Sequence, residues 1–260
     1  MDFEQHIYGM TEEGDAVIVY ILRAKNGAEV RLTNYGASII AVNIPDGDRK
    51  FANVVRAKDD LSEMLRDRAY LGRSIDSAVG LRSSGLHNTM WESRFETNRV
   101  VMSQEIEGAT NMTIEAIFDF DDDMSLEVTY LAKCDAATEI DIAPNLYFNL
   151  SGVEGSSVED EELKINSGEF NTLGAFFLKG GVEQEFEKEG YQKGILTPVL
   201  ELRDPQSRRR VEILSSKNGV NVYRGDRLES VAITPCLLSE VSLDAGELYC
   251  EKMVYKFSTF

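Results

Sequence analysis

The feature that most limits the fold is an alternation of apolar and polar residues that recurs in short runs along nearly the whole chain. Between Leu126 and Cys134, Leu126, Val128, Tyr130 and Ala132 alternate with Glu127, Thr129 and Leu131. Side chains that repeat every second residue line one face of a β-strand. Val100–Ile106 and Met112–Phe120 carry the same signature, and the acidic run Asp119–Asp123 joins two of these strands as a solvated turn. It lacks the residue order of a calcium-binding loop. Ala16–Ala24, the turn Lys25-Asn26-Gly27 and Glu29–Thr33 predict a hairpin, and Ser38–Ile44 predicts a strand closed by Pro45-Asp46-Gly47-Asp48. Val199–Leu202 and Val211–Ser215 predict another hairpin, with Arg208, Arg209 and Arg210 on its returning arm as charges that protect an edge strand. The one convincing helix is Asp59–Arg68, where Asp60 can cap and Leu61, Met64 and Leu65 form a stripe. Many short strands, close turns and one short helix predict an all-β chain: a large antiparallel β-sandwich, in one domain spanning residues 1–260.

Charge narrows the partners. With 45 acidic against 27 basic residues the net charge is −18, so a nucleic acid or an anionic membrane surface is repelled and a small neutral or polar ligand is not. No apolar run is long enough to cross a bilayer, and Met1-Asp2-Phe3-Glu4-Gln5 lacks the basic-then-apolar order of a secretory leader, so a cytoplasmic location is expected. Cys134, Cys236 and Cys250 are an odd, widely spaced set within or beside alternating stretches, which predicts buried thiols rather than disulfides. The only histidines are His6 and His87, so neither a histidine-based zinc site nor any other metal or cofactor is expected.

The stretch Ile140–Gly152, IDIAPNLYFNLSG, reads as a strand, a corner at Pro144 and a short strand. Asn145 follows a proline that cannot lend a ladder N–H, a place where a groove can open. Asn149 interrupts an apolar run and must find a partner. Beyond it, Val153–Glu162 reads as an acidic surface loop, and Phe176 and Phe177, between glycines, read as core or rim.

These motifs carry a resemblance. The segment around Tyr147-Phe148-Asn149-Leu150 resembles the N-H-S-Y-F-N-L strand of the aldose 1-epimerase (galactose mutarotase) family, with Asn145 at the family's histidine. Residues 26–46, NGAEVRLTNYGASIIAVNIPD, are similar to the family's N-G-x-E-V-x-I-T-N-Y-G-A scaffold motif throughout. Gly72-Arg73 matches the family's G-R, whereas Asp76 and Ser77 stand where an Asn and an Arg hold sugar hydroxyls. Leu86-His87 resembles the family's first site histidine. Gln192 stands at a sugar-binding aspartate, Asn221 at a glutamine, and Pro235–Glu240 resembles F-C-L-E-T-Q with Leu238 at the catalytic glutamate.

The resemblance implies a galactose mutarotase-like supersandwich with a groove for a carbohydrate or related polar ligand, bound by Arg73, Asp76, His87, Asn145 and Gln192. Interconverting the anomers of a free aldose needs a base and an acid flanking C1 and the ring oxygen. Leucine is neither, and asparagine holds a hydroxyl without trading a proton at neutral pH. Two readings follow. In one the chain binds carbohydrate with mutarotation lost or weak. In the other it is a working aldose 1-epimerase whose catalytic pair is Glu240, two residues beyond Leu238 on the same strand face, and His87.

Overall fold

The computed structural model describes residues 2–58, 60–78, 85–97, 99–108, 110–225, 228–239 and 242–260. The first sheet follows chain order: β1 (Asp2–Met10), β2 (Ala16–Arg23), β3 (Glu29–Thr33), β4 (Ser38–Pro45) and β5 (Phe51–Asn53), each antiparallel to the next. The expected β2–β3 hairpin is present, with Arg23 opposite Glu29. Its turn reverses at Gly27, held at φ +93°, while Asn26 Oδ1 accepts from the Ala28 amide at 2.9 Å. β1 lacks a regular alternation and is largely exposed, which is why the sequence did not place it.

Helix α1 (Leu61–Arg66) sits inside the predicted segment and is capped by Asp60, whose carboxylate accepts from the Glu63 amide at 2.9 Å. It ends early because the Asp67 carboxylate turns to the amides of Ala69 and Leu71; Asp59 lies outside the described residues. Next come β6 (Ser74–Asp76), a 3₁₀ turn at Leu86–Asn88, β7 (Glu92–Glu96), β8 (Arg99–Ile106), β9 (Met112–Phe120), β10 (Ser125–Cys134), β11 (Thr138–Glu139), β12 (Ile142–Pro144) and β13 (Tyr147–Phe148). The strand, corner and short strand expected across Ile140–Gly152 are present as β12, a break and β13, but the break falls at Asn145-Leu146 and not at Pro144, which ends β12 opposite Ser74. Asn149 finds its partners in Ser156 and the carbonyl of Glu229.

The second half holds β14 (Glu162–Ile165), β15 (Asn171–Thr172), α2 (Leu173–Gly180), β16 (Glu183–Glu187), β17 (Thr197–Asp204), β18 (Arg209–Ser215), β19 (Gly219–Arg224), β20 (Val231–Cys236), β21 (Ser242–Leu243) and β22 (Tyr249–Thr259). Helix α2 adds to the single helix expected. Thr172 caps it and Gly181 closes it at φ +82°, but over two turns its buried stripe is only Leu173 and Phe177, too short for a 3.6-residue period to show.

A nine-stranded antiparallel sheet runs β15-β14-β17-β18-β22-β10-β9-β8-β7, and a four-stranded one runs β13-β20-β19-β16. Their apolar faces meet those of the first sheet in one core. Leu22, Val30 and Leu32 come from β2 and β3, Phe118, Tyr130 and Tyr255 from the large sheet, and Val220, Val222 and Ile233 from the small one. This is the predicted all-β sandwich. Cross-strand neighbours such as Phe118 and Val128 are fully buried, each side chain contributing about 1.5–3 kcal/mol by leaving water.

Three local expectations are corrected. Of the three cysteines expected to be buried, Cys134 and Cys236 are, but Cys250 is exposed. β18 lies between β17 and β22, so the arginines at its start do not guard an edge. Instead Arg209 is buried and donates to the carbonyls of Ile44, Lys50, Leu150 and Ser151, joining three segments that no strand pairing connects. The loop read as purely superficial buries Val158 and Glu161. Glu161 Oε1 accepts from the Leu150 amide at 2.7 Å, while its Oε2 is buried without a partner among the described residues. Burial in this pocket pushes the Glu161 carboxyl up to about 8.

Because the folded value exceeds the ordinary 4.5, the stability supplied by that proton is complete below about 4.5 and is lost as pH rises through about 8. Urea unfolding at pH 5 and pH 9 is expected to show the native chain losing roughly 4 kcal/mol relative to Glu161→Gln across that interval. Parallel pH curves for the two proteins would disprove a buried neutral acid.

Candidate functional site

A cleft of about 820 Å³ opens over the outer face of the β13-β20-β19-β16 sheet. Register determines its floor. Glu183 lies opposite Tyr223, Tyr223 opposite Ala232 and Ala232 opposite Tyr147, which makes one row; Glu185, Asn221 and Thr234 make the next. The intervening Val220, Val222 and Ile233 point into the core, so the two-residue period that builds the core also delivers carboxylates, amides and hydroxyls to the cleft. Asn221 Nδ2 donates to Glu183 Oε1 at 2.9 Å. The Tyr147 and Tyr223 rings meet edge to face with centroids 6.4 Å apart. Gly219 follows the same face, where a Cβ would fall 2.4 Å from Leu238 Cγ; glycine lets Leu238 lie along the cleft wall.

The back wall is held by a buried ion pair. Lys217 is fully buried, and its ammonium donates to Asp141 Oδ1 at 2.5 Å, the Ile142 carbonyl at 2.8 Å and the Pro235 carbonyl at 3.3 Å. Three acceptors use all three of its protons. Asp141 Oδ2 in turn accepts from the Ser77 hydroxyl at 2.6 Å and the Leu237 amide at 3.1 Å. Asp76 is part of the same bracing: its Oδ1 accepts from the amides of Asp141 and Ala78, and burial pushes its carboxyl up.

Of the residues expected at the site, Asn145 lines the cleft, donating from Nδ2 to the Ala69 and Tyr70 carbonyls at 2.8 and 3.2 Å. Leu238, at the position the resemblance gives to a catalytic glutamate, lines it too. His87 and Arg73 do not. His87 is 2% exposed, its ring 4.1 Å from that of Tyr70, with Nδ1 unpartnered among the described residues. Burial, then the Arg73 charge, pulls its pKa down, which favours neutral imidazole. Arg73 is fully buried and lies between the rings of Tyr35 and Tyr70, at 5.4 and 5.5 Å. Its guanidinium donates to the carbonyls of Met64 and His87 and to Asn88 Oδ1. Tyr70 faces the cleft in their place, in the left-handed region at φ +54°. Gln192 is exposed between β16 and β17, away from the cleft lining, and Glu240 lies outside the described residues.

Solved structures share this architecture. Galactose 1-epimerase from Lactobacillus acidophilus NCFM superposes with a TM-score of 0.81 at 14% identity, covering 99% of this chain and 99% of that one. The aldose epimerase homologue from C. elegans gives 0.77 at 17%, covering 92% and 98%. A galactose mutarotase-like protein from Clostridium acetobutylicum gives 0.69 at 10%, covering 99% and 98%. The chain has the aldose 1-epimerase fold. No protein-family model matches the sequence, and no curated protein does.

Within this aldose 1-epimerase fold the cleft owes most of its chemistry to residues that motif reading passed over. Glu183 and Glu185 were legible in principle, because Glu183, Glu185 and Glu187 alternate with Gln184 and Phe186. That pattern is a strand with one acidic face, but it does not say what the face meets. Tyr147 and Tyr223 sit inside recognisable motifs, yet only register shows that they share a row. Cys236 also lines the cleft; burial pushes its thiol up to about 12, so it is not a thiolate near neutrality.

Removing one member of the buried pair leaves the other uncompensated. Lys217→Met is expected to cost about 3–5 kcal/mol in urea unfolding, and Asp141→Asn/Lys217→Met to recover a large part of it. Additive losses would show that the two groups are not coupled.

Proposed function

We propose that this is a cytoplasmic carbohydrate-binding protein on the aldose 1-epimerase fold, taking a free aldose or related polyol into the cleft with anomer interconversion lost or weak. The supporting chemistry is ordinary for sugars. Glu183, Glu185, Asn145 and Asn221 offer acceptors and amides for hydroxyl groups, and Tyr147 and Tyr223 offer aromatic surface to the ring's C–H faces. The names of the similar structures, a galactose 1-epimerase and a galactose mutarotase-like protein, point to the same ligand class.

The observation that carries the loss of catalysis is the composition of the wall. Anomer interconversion needs an acid and a base within hydrogen-bond reach of the ring oxygen and the C1 hydroxyl. No imidazole lines the cleft among the described residues; His87 is packed against Tyr70, and Asn145 and Leu238 stand at the positions where the resemblance expects the acid and the base. An amide and an alkyl group exchange no protons at neutral pH.

Polarimetry on freshly dissolved α-D-galactose and α-D-glucose is expected to show decay at the buffer rate. The same sugars are expected to raise the melting temperature, the added stability at a hundredfold excess over Kd being about 2.7 kcal/mol, and Asn221→Ala/Tyr223→Ala is expected to remove the shift. Accelerated decay that is abolished in Glu240→Gln or in His87→Gln would overturn this reading in favour of an active epimerase using that pair.

A further inference from the structure

Resting on the carbohydrate reading, we propose that the cleft selects its ligand by charge. It takes an amine-bearing, cationic sugar in preference to the neutral counterpart, and disfavours sugars bearing a carboxylate or phosphate. Among its described lining residues the acids are Glu139, Asp141, Glu183 and Glu185, and the single base is Arg68. Asp141 is already neutralised by Lys217 at 2.5 Å. Among the described residues Glu183 has only the Asn221 amide as partner, and none pairs with the carboxylates of Glu185 or Glu139.

What sets Glu183 and Glu185 apart is that both lack a cationic partner among the described residues and both line one concave wall. Several strand acids outside the cleft are answered across the sheet, Glu162 by Arg203 at 2.6 Å, Glu201 by Lys164 at 3.0 Å, Glu127 by Lys252 at 2.6 Å and Glu115 by Arg94 at 3.0 Å; others, such as Glu105 and Glu212, form no ion pair among the described residues but do not line the cleft. On the cleft floor the residues opposite Glu183 and Glu185 are Tyr223 and Asn221. Those groups can position a hydroxyl but leave the negative charge uncancelled. Two carboxylates two residues apart share a strand face at a separation of about 7 Å, and a concave wall concentrates their field on whatever enters. A ligand ammonium would supply the missing counter-charge; a phosphate or carboxylate would meet repulsion from both.

The test is isothermal titration of the unaltered protein with D-galactosamine, D-galactose and D-galacturonate and with the three matching gluco sugars, at low and high salt. The amine is expected to bind roughly 3- to 10-fold more tightly than the neutral sugar and the uronate most weakly, with the spread narrowing as salt screens it. In Glu183→Gln/Glu185→Gln the amine and the neutral sugar are expected to reach parity. A neutral sugar that binds while its charged analogues match it, or a uronate that binds better, would overturn the charge selection and leave carbohydrate binding standing. Failure of all six sugars would overturn both. The salt dependence is read on the native chain, so the outcome does not hinge on the double variant folding.

Discussion

Lys217 fixes the geometry on which the cleft depends. From one ammonium it ties the adjacent residues Asp141, through its side chain, and Ile142, through its backbone, to the backbone of Pro235, far away in sequence. Asp141 passes the constraint on to Ser77 and Leu237, and Asp76 holds Asp141 from behind. A charge taken so far from water is tolerable only with full coordination. The network therefore has essentially one arrangement, and β6, β12 and β20 inherit fixed positions around the cavity.

Arg209 plays the corresponding part at another junction, where its carbonyl partners belong to the β4–β5 hairpin and the loop after β13. Both cations replace strand pairing where the chain turns irregular. Backbone carbonyls that no neighbouring strand can reach still need donors, and a long cationic side chain supplies several from one root. Such residues look like surface charges in sequence, which is why the arginine run at the start of β18 suggested an edge.

Legibility followed periodicity. The β2–β3 hairpin, the β8–β9–β10 meander and the β17–β18 hairpin could be read because each side chain's environment repeats every second residue and the turns carry their own chemistry. α2 could not, because two turns bury two residues. The site divided along the same line. Asn145 was visible as a polar residue directly after a proline. The burial of His87 and Arg73 around Tyr70 was not, since it depends on how a loop crosses a helix and a strand that meet only in three dimensions. Resemblance located these residues along the chain; packing decided which of them face the cavity.

The acidic face of β16 has a second consequence. β16 is the outermost strand of its sheet, and an outermost strand offers unpaired amides and carbonyls to any extended segment that drifts past. Three glutamates in five residues make a stacked copy of this strand electrostatically costly. The two glutamates that line the cavity, with Glu187 beside them, thereby also discourage the sheet from growing into its neighbours.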